Sequence, residues 1–588
     1  MEFLSKIIND NEYEFSTCEF VFKLPIEYTT KKRLVEKNII TDLELLETDD
    51  HKSLYEDVLN PKTTFGRETM KLWPKYFTYD KKFIKDNQKL IKNFKSLDCK
   101  YTCNCDDILT ICDDINNEEE FLDKYQYIEF PWFKKYNNND NILLALSLYN
   151  ISSPVIAILT PIILMIMPFF IIKIQGHNIT LEKYIEYLKV SFSKHTLGQL
   201  MNTDFNEVPI EKKMYIGISV AFYGYQIYQN ILSCIKFNTN MKNIHYYLLK
   251  IRDYISNTIS TIKNFHNYSK KLKTFKDFNI DIIKNKSFLE TFHEKLTHIS
   301  PFEYSIPKIL QIGKILKLFY VLHEDPNYMN NLTYSFGFNG FIENISGIQE
   351  NIKEGFMNMS SYGNKCKFTD AYFPSLKNET PGPIKNTYSL NRHMIITGPN
   401  AAGKTTLLKS NLINIILNQQ IGCGFYKSAQ LKLYNFIHCY INIPDTSGRD
   451  SLFQAEARRC KEILDKIGKN SLDKNHLCVF DELYSGTNPY EAVGSAFSLI
   501  KYLNTYKNVN FMLTTHYIDL CDKLDNTENI ENCNMKILED KEAGTFEYTY
   551  KLQTGISYVK GGTKVLNDLK YPTAILDSVK DVIETLNI

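Results

Sequence analysis

Three small groups of residues carry chemistry that their types and spacing can explain. Gly398-Pro399-Asn400-Ala401-Ala402-Gly403-Lys404-Thr405 fits G-x-x-x-x-G-K-[ST]. In that pattern small residues let successive backbone N–H groups turn inward around the phosphates of a nucleotide. Lys404 is then placed to reach the β- and γ-phosphates, the Thr405 hydroxyl to meet Mg²⁺, and Thr406 completes the expected ATP-binding set. The acid pair Asp481-Glu482 follows the apolar run His476-Leu477-Cys478-Val479-Phe480. Its first carboxylate is expected to hold Mg²⁺ through water, and its second to polarise the attacking water as general base. The third group is Thr514-Thr515-His516-Tyr517, after the apolar stretch Asn510 to Leu513.

Each group needs an element that aims it. Met394-Ile395-Ile396-Thr397 reads as a strand, and the residues after Thr405, apolar at Leu408, Leu412, Ile415 and Ile416, read as a helix whose partly positive N-terminus faces the same phosphates. Strand, loop and helix in succession imply an α/β P-loop NTPase domain, assigned to residues 366–588. The interval from Lys404 to Asp481 is 77 positions, too short for the helical subdomain that transporter-type ATPases insert there.

With 588 residues the chain has material for several domains, and its formal net charge of +1 gives no global field. Nucleic-acid contact must therefore come from a local basic patch. The 13 cysteines stand mostly singly, and Met1 to Asn9 lack the basic start and apolar core of a secretory signal. An intracellular, reducing compartment is expected. Cys99, Cys103, Cys105 and Cys112 offer zinc ligands but match no paired C-x-x-C frame, so ordinary thiols are the expectation there and a zinc site the alternative.

Residues 1–150 read as a mainly helical module with charged helical stretches such as Asp42 to Glu56 and aromatic turns such as Phe130-Pro131-Trp132-Phe133. Residues 151–235 are dominated by two uncharged runs, Ser152 to Ile172 and Met214 to Ile235; the first is bilayer-length, with prolines at 154, 161 and 168. Two readings stay open: a transmembrane hairpin, or a helix pair buried in a helical domain. Residues 236–365 read as a helical core and lever region. Within it Lys236 to Lys295 carries twelve Lys and Arg against five acids, interleaved with Tyr246, Tyr247, Tyr254, Phe265, Tyr268 and Phe275. This arm suits a solvated helix, a DNA backbone or a lipid headgroup surface, and its positive excess places it and everything downstream on the cytoplasmic side if the hairpin spans.

The ordered motifs resemble the MutS family of DNA mismatch-repair ATPases. The resemblance is carried by Gly398-Pro399-Asn400, by Ser451, Phe453 and Glu456 in an S-x-F-x-x-E signature, by Asp481-Glu482-Leu483 with Gly486-Thr487, by Thr514 to Tyr517, by Tyr550-Lys551-Leu552-Gln553-Thr554-Gly555 and by Leu569-Tyr571-Pro572. It covers about Lys367 to Val582 and implies an ABC-type, MutS-like fold with ATP and Mg²⁺ as cofactors. It also implies that Ser451 reaches the γ-phosphate held by a second subunit, that His516 senses that phosphate, and that Phe373 packs on the adenine. Expected partners are double-stranded DNA and a second subunit, as a homodimer or MutS-like heterodimer. Two departures stand out. The family's Phe-x-Glu mismatch wedge has only the misplaced matches Phe292-His293-Glu294 and Phe341-Ile342-Glu343, and Ser485-Gly486-Thr487-Asn488-Pro489 looks closer to the branch without mismatch recognition. Full-length members are also longer than this chain.

Overall fold

Residues 21–46, 52–95, 105–116, 121–176, 180–194, 209–443, 451–470, 473–540, 545–559 and 569–585, with 198 and 566 singly, are described by the computed structural model. The chain divides into two units: Lys100–Ile259 with Ser287–Leu332, and Met1–Cys99 with Ser260–Lys286 and Thr333–Ile588.

The first of these is helical. Its long helices are α1 (Asp140–Ile174), α2 (Leu181–Lys194), the first part of α3 (Ile210–Ser269) and α4 (Ile306–Glu324). Asn139 caps α1 by accepting the N–H groups of Asn141 and Ile142 at 3.0 and 3.3 Å. α4 lies against the start of α1, where a Cβ at Gly313 would fall 2.0 Å from the Asp140 carbonyl oxygen. The core gathers Ile108, Ile111, Phe121, Phe319 and Tyr320, with Phe121 stacked on His323 at 3.8 Å. Phe292 packs here edge-on to Tyr328 at 4.8 Å. Pro154, Pro161 and Pro168 fall inside α1 without ending it. Among the described residues one helix is long and apolar enough to cross a membrane: its stretch Asp140–Thr160 has a mean hydropathy of 2.0 and is 17% buried. Cys105 and Cys112 are buried, Cys99 and Cys103 lie outside the described residues, and no metal-binding cluster occurs among the described residues.

In the second unit, the charged stretch Asp42 to Glu56 ends one short helix, Lys37–Asp42, and begins another, Leu54–Leu59. α5 (Pro326–Lys353) contains the glycines that punctuate the sequence there. They permit close packing: a Cβ at Gly337 would meet Phe22 at 2.4 Å, and one at Gly347 would meet the Leu59 carbonyl oxygen at 1.8 Å. Phe341, the other wedge match, is wholly buried among Phe22, Phe265 and Phe278.

Six strands form the main sheet: β1 (His393–Thr397), β2 (Phe436–Tyr440), β3 (His476–Asp481), β4 (Val509–Thr515), β5 (Ile530–Asp540) and β6 (Thr545–Thr554). Their order is β6-β5-β1-β4-β3-β2, parallel except for β6 at the edge. Strands covered on both faces read as continuous apolar runs, which is why β1, β3 and β4 are legible in the sequence. Register sets Thr397 beside Thr515, and Asp481 beside Thr514. Three carboxyl ends therefore finish level, the edge at which open α/β sheets bind ligands. A second sheet, built from Asn358–Tyr362, Lys367–Ala371, Asn386–Ser389, Cys423–Gly424 and Ser428–Leu431, completes the α/β part.

α6 (Lys404–Gln420) follows β1 after six residues, and α7 (Leu452–Gly468), α8 (Pro489–Leu503), α9 (Ile518–Leu524) and α10 (Thr573–Thr585) are further helices of this part. Leu408, Leu412, Ile415 and Ile416 of α6 are buried, as its apolar pattern demands, but so are Asn411, Asn414, Asn418, Gln419 and Gln420. Gln419 Nε2 donates to the Thr78 and Tyr434 carbonyls at 3.0 and 2.8 Å. Gln420 Nε2 donates to those of Trp73 and Tyr76, both at 2.9 Å, while its Oε1 accepts from the Tyr55 hydroxyl. The polar face of α6 thus binds residues far upstream in the chain, because buried backbone carbonyls require donors.

Candidate active site

Between β1 and α6 the backbone turns through residues 398–403 with positive φ at Gly398 (149°), Ala401 (64°) and Gly403 (90°). Glycine meets such angles at no steric cost, whereas Ala401 is strained. Gly403 also lies under the Tyr550 ring, 3.0 Å from where a Cβ would be. Lys404 is buried, and its Nζ donates to the carbonyls of Gly398 at 2.8 Å and Pro399 at 3.1 Å. Burial pushes the lysine pKa down, while Glu482, at 3.7 Å, and Asp481 pull it back up.

Asp481 ends β3 and accepts hydrogen bonds from Thr405 Oγ1 at 2.8 Å and from Thr514 Oγ1. Burial raises its pKa in spite of both donors. Glu482 next to it takes φ 49°, a left-handed conformation that turns its carboxylate toward Lys404 and His516. The His516 ring, with Nδ1 at 3.7 Å, is the main influence holding the Glu482 pKa below the usual carboxylate range, against burial. His516 itself is exposed and lies against the Tyr517 ring at 4.2 Å.

Asn400, Ala401, Gly403, Lys404, Thr405 and Thr406 line one cavity of about 760 Å³ together with Asp481 and Glu482. Phe373, with Tyr372 and the segment around Pro381, lines the same cavity, so residues far apart in the chain share one space. Gly398, Pro399, Ala402 and His516 are outside its lining. Three contributors are not singled out by the sequence. Thr514 stands inside a motif, yet its part in the site is the bond to Asp481. Tyr550 lines the cavity, and Ser410 does too, its buried Oγ lacking a partner among the described residues. Thr514 had a signal, since side chains at the ends of neighbouring parallel strands meet; Ser410 had none.

The described donors fit a hard cation and a polyphosphate. Thr405 and Asp481 offer oxygens alone, as Mg²⁺ prefers. The Lys404 ammonium meanwhile rests on loop carbonyls within the cavity wall.

A model of the family described as MutS domain V matches residues 394–587. The likeness to the MutS family lies in the C-terminal third of this chain. This part is similar to the endonuclease MutS2 of Fusobacterium nucleatum, 32% identical over 197 residues that make up 33% of this chain and 24% of that protein. It is also similar to the DNA mismatch repair protein MutS of Leuconostoc citreum, 28% identical over 193 residues, 33% of this chain and 22% of that one. The endonuclease MutS2 of Staphylococcus aureus is 30% identical over 220 residues, 37% and 29% of the two chains. The match thus spans between a fifth and a third of the length of these relatives.

Within this MutS-type part, Ser451 caps α7: its hydroxyl accepts from Gln454 N at 3.3 Å while the Gln454 side chain takes the Ser451 N–H at 3.1 Å. It is exposed and outside the cavity lining. Phe453 packs against Tyr484 at 5.6 Å. Glu456 is buried and accepts from Ser485 Oγ at 3.0 Å and Gly486 N at 3.2 Å, so the signature helix braces the turn that follows Glu482 in its own chain. Ser447 to Asp450 lie outside the described residues.

Proposed function

We propose that this protein is a P-loop ATPase of the MutS type, hydrolysing ATP with Mg²⁺ as a dimer and coupling its nucleotide state to DNA in repair or recombination. The observation that carries this reading is the convergence of Lys404, Thr405, Asp481 and Glu482 on one cavity at the carboxyl edge of the sheet. The N–H groups of the 398–405 loop and the α6 N-terminus hold the phosphates. Lys404 exchanges its carbonyl partners for phosphate oxygens. Thr405 and Asp481 are the residues for Mg²⁺, which when bound neutralises charge on the β- and γ-phosphates. Glu482, ionised, accepts a proton from the attacking water; the water oxygen bonds to the γ-phosphorus as the bond to the bridging oxygen breaks and ADP leaves. His516 orients Glu482. Phe373 and Ser410, on the cavity wall, serve the base and sugar end. Ser451, exposed on a helix N-terminus and away from its own cavity, suits a role at a second subunit's γ-phosphate.

For DNA, the relevant surface is Lys270, Lys271, Lys273 and Lys276, all exposed, three of them around an open hollow of about 610 Å³. The interleaved Tyr254, Phe265 and Phe275 are buried, so the arm offers charge to phosphates and no stacking platform from these rings. We propose an intracellular location, with the ATPase part on the cytoplasmic side, and no direct reading of mismatches.

Glu482→Gln is expected to bind ATP normally and to lose turnover by about 10³-fold or more, with Lys404→Ala weakening binding itself. Steady-state hydrolysis unchanged in Glu482→Gln would remove Glu482 from the role of base. Reversing Lys270, Lys271 and Lys273 to Glu should weaken binding to every duplex alike and flatten the salt dependence by about one unit of slope for each phosphate no longer neutralised. A sequence- or mismatch-selective effect would place the reading surface elsewhere.

A further inference from the structure

The most apolar helix among the described residues is also widely exposed. No charge lies between Asp140 and Lys173, yet Val155, Ile158, Ile163, Met167, Phe170 and Ile171 all face outward. Stepped at about 100° per residue, the exposed apolar positions of α1 cover more than half of its circumference. An amphipathic helix docking on a core shows a narrower stripe and buries it. A water-soluble surface rarely leaves so continuous an apolar patch.

The polar groups of this region are arranged as hydrocarbon requires. Ser152 and Thr160 turn their hydroxyls back onto the Leu148 and Ile156 carbonyls, both at 2.6 Å. The Tyr223 hydroxyl of α3 donates to the Ala157 carbonyl at 3.0 Å, and Cys234 Sγ lies 3.6 Å from that of Ile151, which fixes α1 and the start of α3 as an antiparallel pair. Just after Pro168 the Phe169 N–H donates to Tyr184 Oη of α2 at 3.1 Å. Backbone groups disturbed by proline must find partners of this kind wherever water is absent.

The ends match as well. Ser152 to Ile172 measures about 32 Å along a helix, the thickness of a hydrocarbon core. At the Asp140 end Phe130, Trp132 and Phe133 are exposed, as is Tyr304, whose hydroxyl donates to Asn238 of α3 at 3.1 Å. Aromatic side chains concentrate at this depth of a bilayer. At the other end α2 exposes Leu181, Ile185 and Val190 beside Lys183 and Lys189, the make-up of a helix lying in an interface. Gln226 and Gln229 stay exposed on α3, which makes it the weaker pass, one that enters against a partner helix.

We infer that α1 and the first half of α3 cross a lipid bilayer as a helical hairpin, with Asp140 and Lys236 on one side and α2 on the other. The basic excess of Lys236 to Lys295 puts the former on the cytoplasmic side. This inference is independent of the ATPase reading, since it uses no residue of that cavity.

The full chain expressed in bacteria should sediment with membranes, remain there through an alkaline carbonate wash and be released by dodecyl maltoside. Recovery in the soluble fraction without detergent, as an aqueous oligomer covering the same face would give, overturns the proposal, and so does release by the wash. Sidedness separates spanning from lying on the surface. In sealed spheroplasts an impermeant maleimide should label a Gly176→Cys chain above the unsubstituted background and leave an Asn238→Cys chain at background until the membrane is opened. Any other pattern overturns the crossing. The joint variant Ile158→Lys, Ile166→Lys, Phe170→Lys should leave the membrane fraction while still binding ATP; retention of that folded variant in washed membranes would equally count against it.

Discussion

Helices α6 and α1 invert one another. α6 buries three asparagines and two glutamines, while α1 leaves isoleucine, valine and phenylalanine exposed over most of its length. Hydropathy alone therefore misplaces both. Asn414, Gln419 and Gln420 of α6 are inside because the upstream carbonyls of Tyr372, Thr78, Trp73 and Tyr76 need donors there. On the proposed bilayer crossing, the side chains of α1 are outside because they face hydrocarbon, where exposure of an apolar side chain carries no penalty.

The contrast is broken most decisively from the α6 side. Gln420→Leu keeps volume but strands the Trp73 and Tyr76 carbonyls and the Tyr55 hydroxyl. A loss of about 3–5 kcal/mol is expected in chemical denaturation. A change below about 1 kcal/mol would mean that those carbonyls have other partners and that the polar face of α6 is incidental.

Acid should separate the two regions next. Burial holds His393 and His476 at a pKa of about 4, and His393 Nδ1 accepts the Phe511 N–H at 3.3 Å, which requires the neutral ring. The unfolded chain binds these protons from about pH 6.5, so stability is full above that value and falls as pH drops toward 4, by up to about 3 kcal/mol per histidine. Glu36 extends the decline. Burial pushes its pKa up, but its bonds to His438 and Lys466 prevail and hold it at about 2, so the stability it adds above about 4.5 is lost as pH falls toward 2. Thermal melts across pH 7 to 4 should show the sheet unit melting earlier with acid while the α1 and α2 helical signal stays constant. Parallel loss of both would erase the distinction.

The smallest effect is expected on α1. Ile158→Ala, in detergent or lipid, should leave unfolding of its own helical unit within about 0.5 kcal/mol of the parent, since the side chain faces outward and leaves no cavity behind. A cost of the 2–4 kcal/mol typical of buried isoleucine would show that this face is packed against protein.

By itself the sequence determined what depends on local order. The loop with its flanking strand and helix, the acid pair at the end of β3 and the bilayer-length run were all legible, because a phosphate-binding turn, a doubly covered parallel strand and an uncharged helix each impose their pattern within a few consecutive residues. Tertiary structure alone decided that Pro381 and Tyr550 share the cavity with Lys404, and that Thr514 supports Asp481, because those meetings follow from how distant segments and strand ends are brought together. It alone showed Glu456 turned inward to the Ser485 turn, Tyr254, Phe265 and Phe275 of the basic arm buried, and Phe292 and Phe341 in cores. It also tied residues 55–78 to α6, a link that local pattern hides: an asparagine or glutamine reads as surface until a buried carbonyl elsewhere in the chain comes within 3 Å of it.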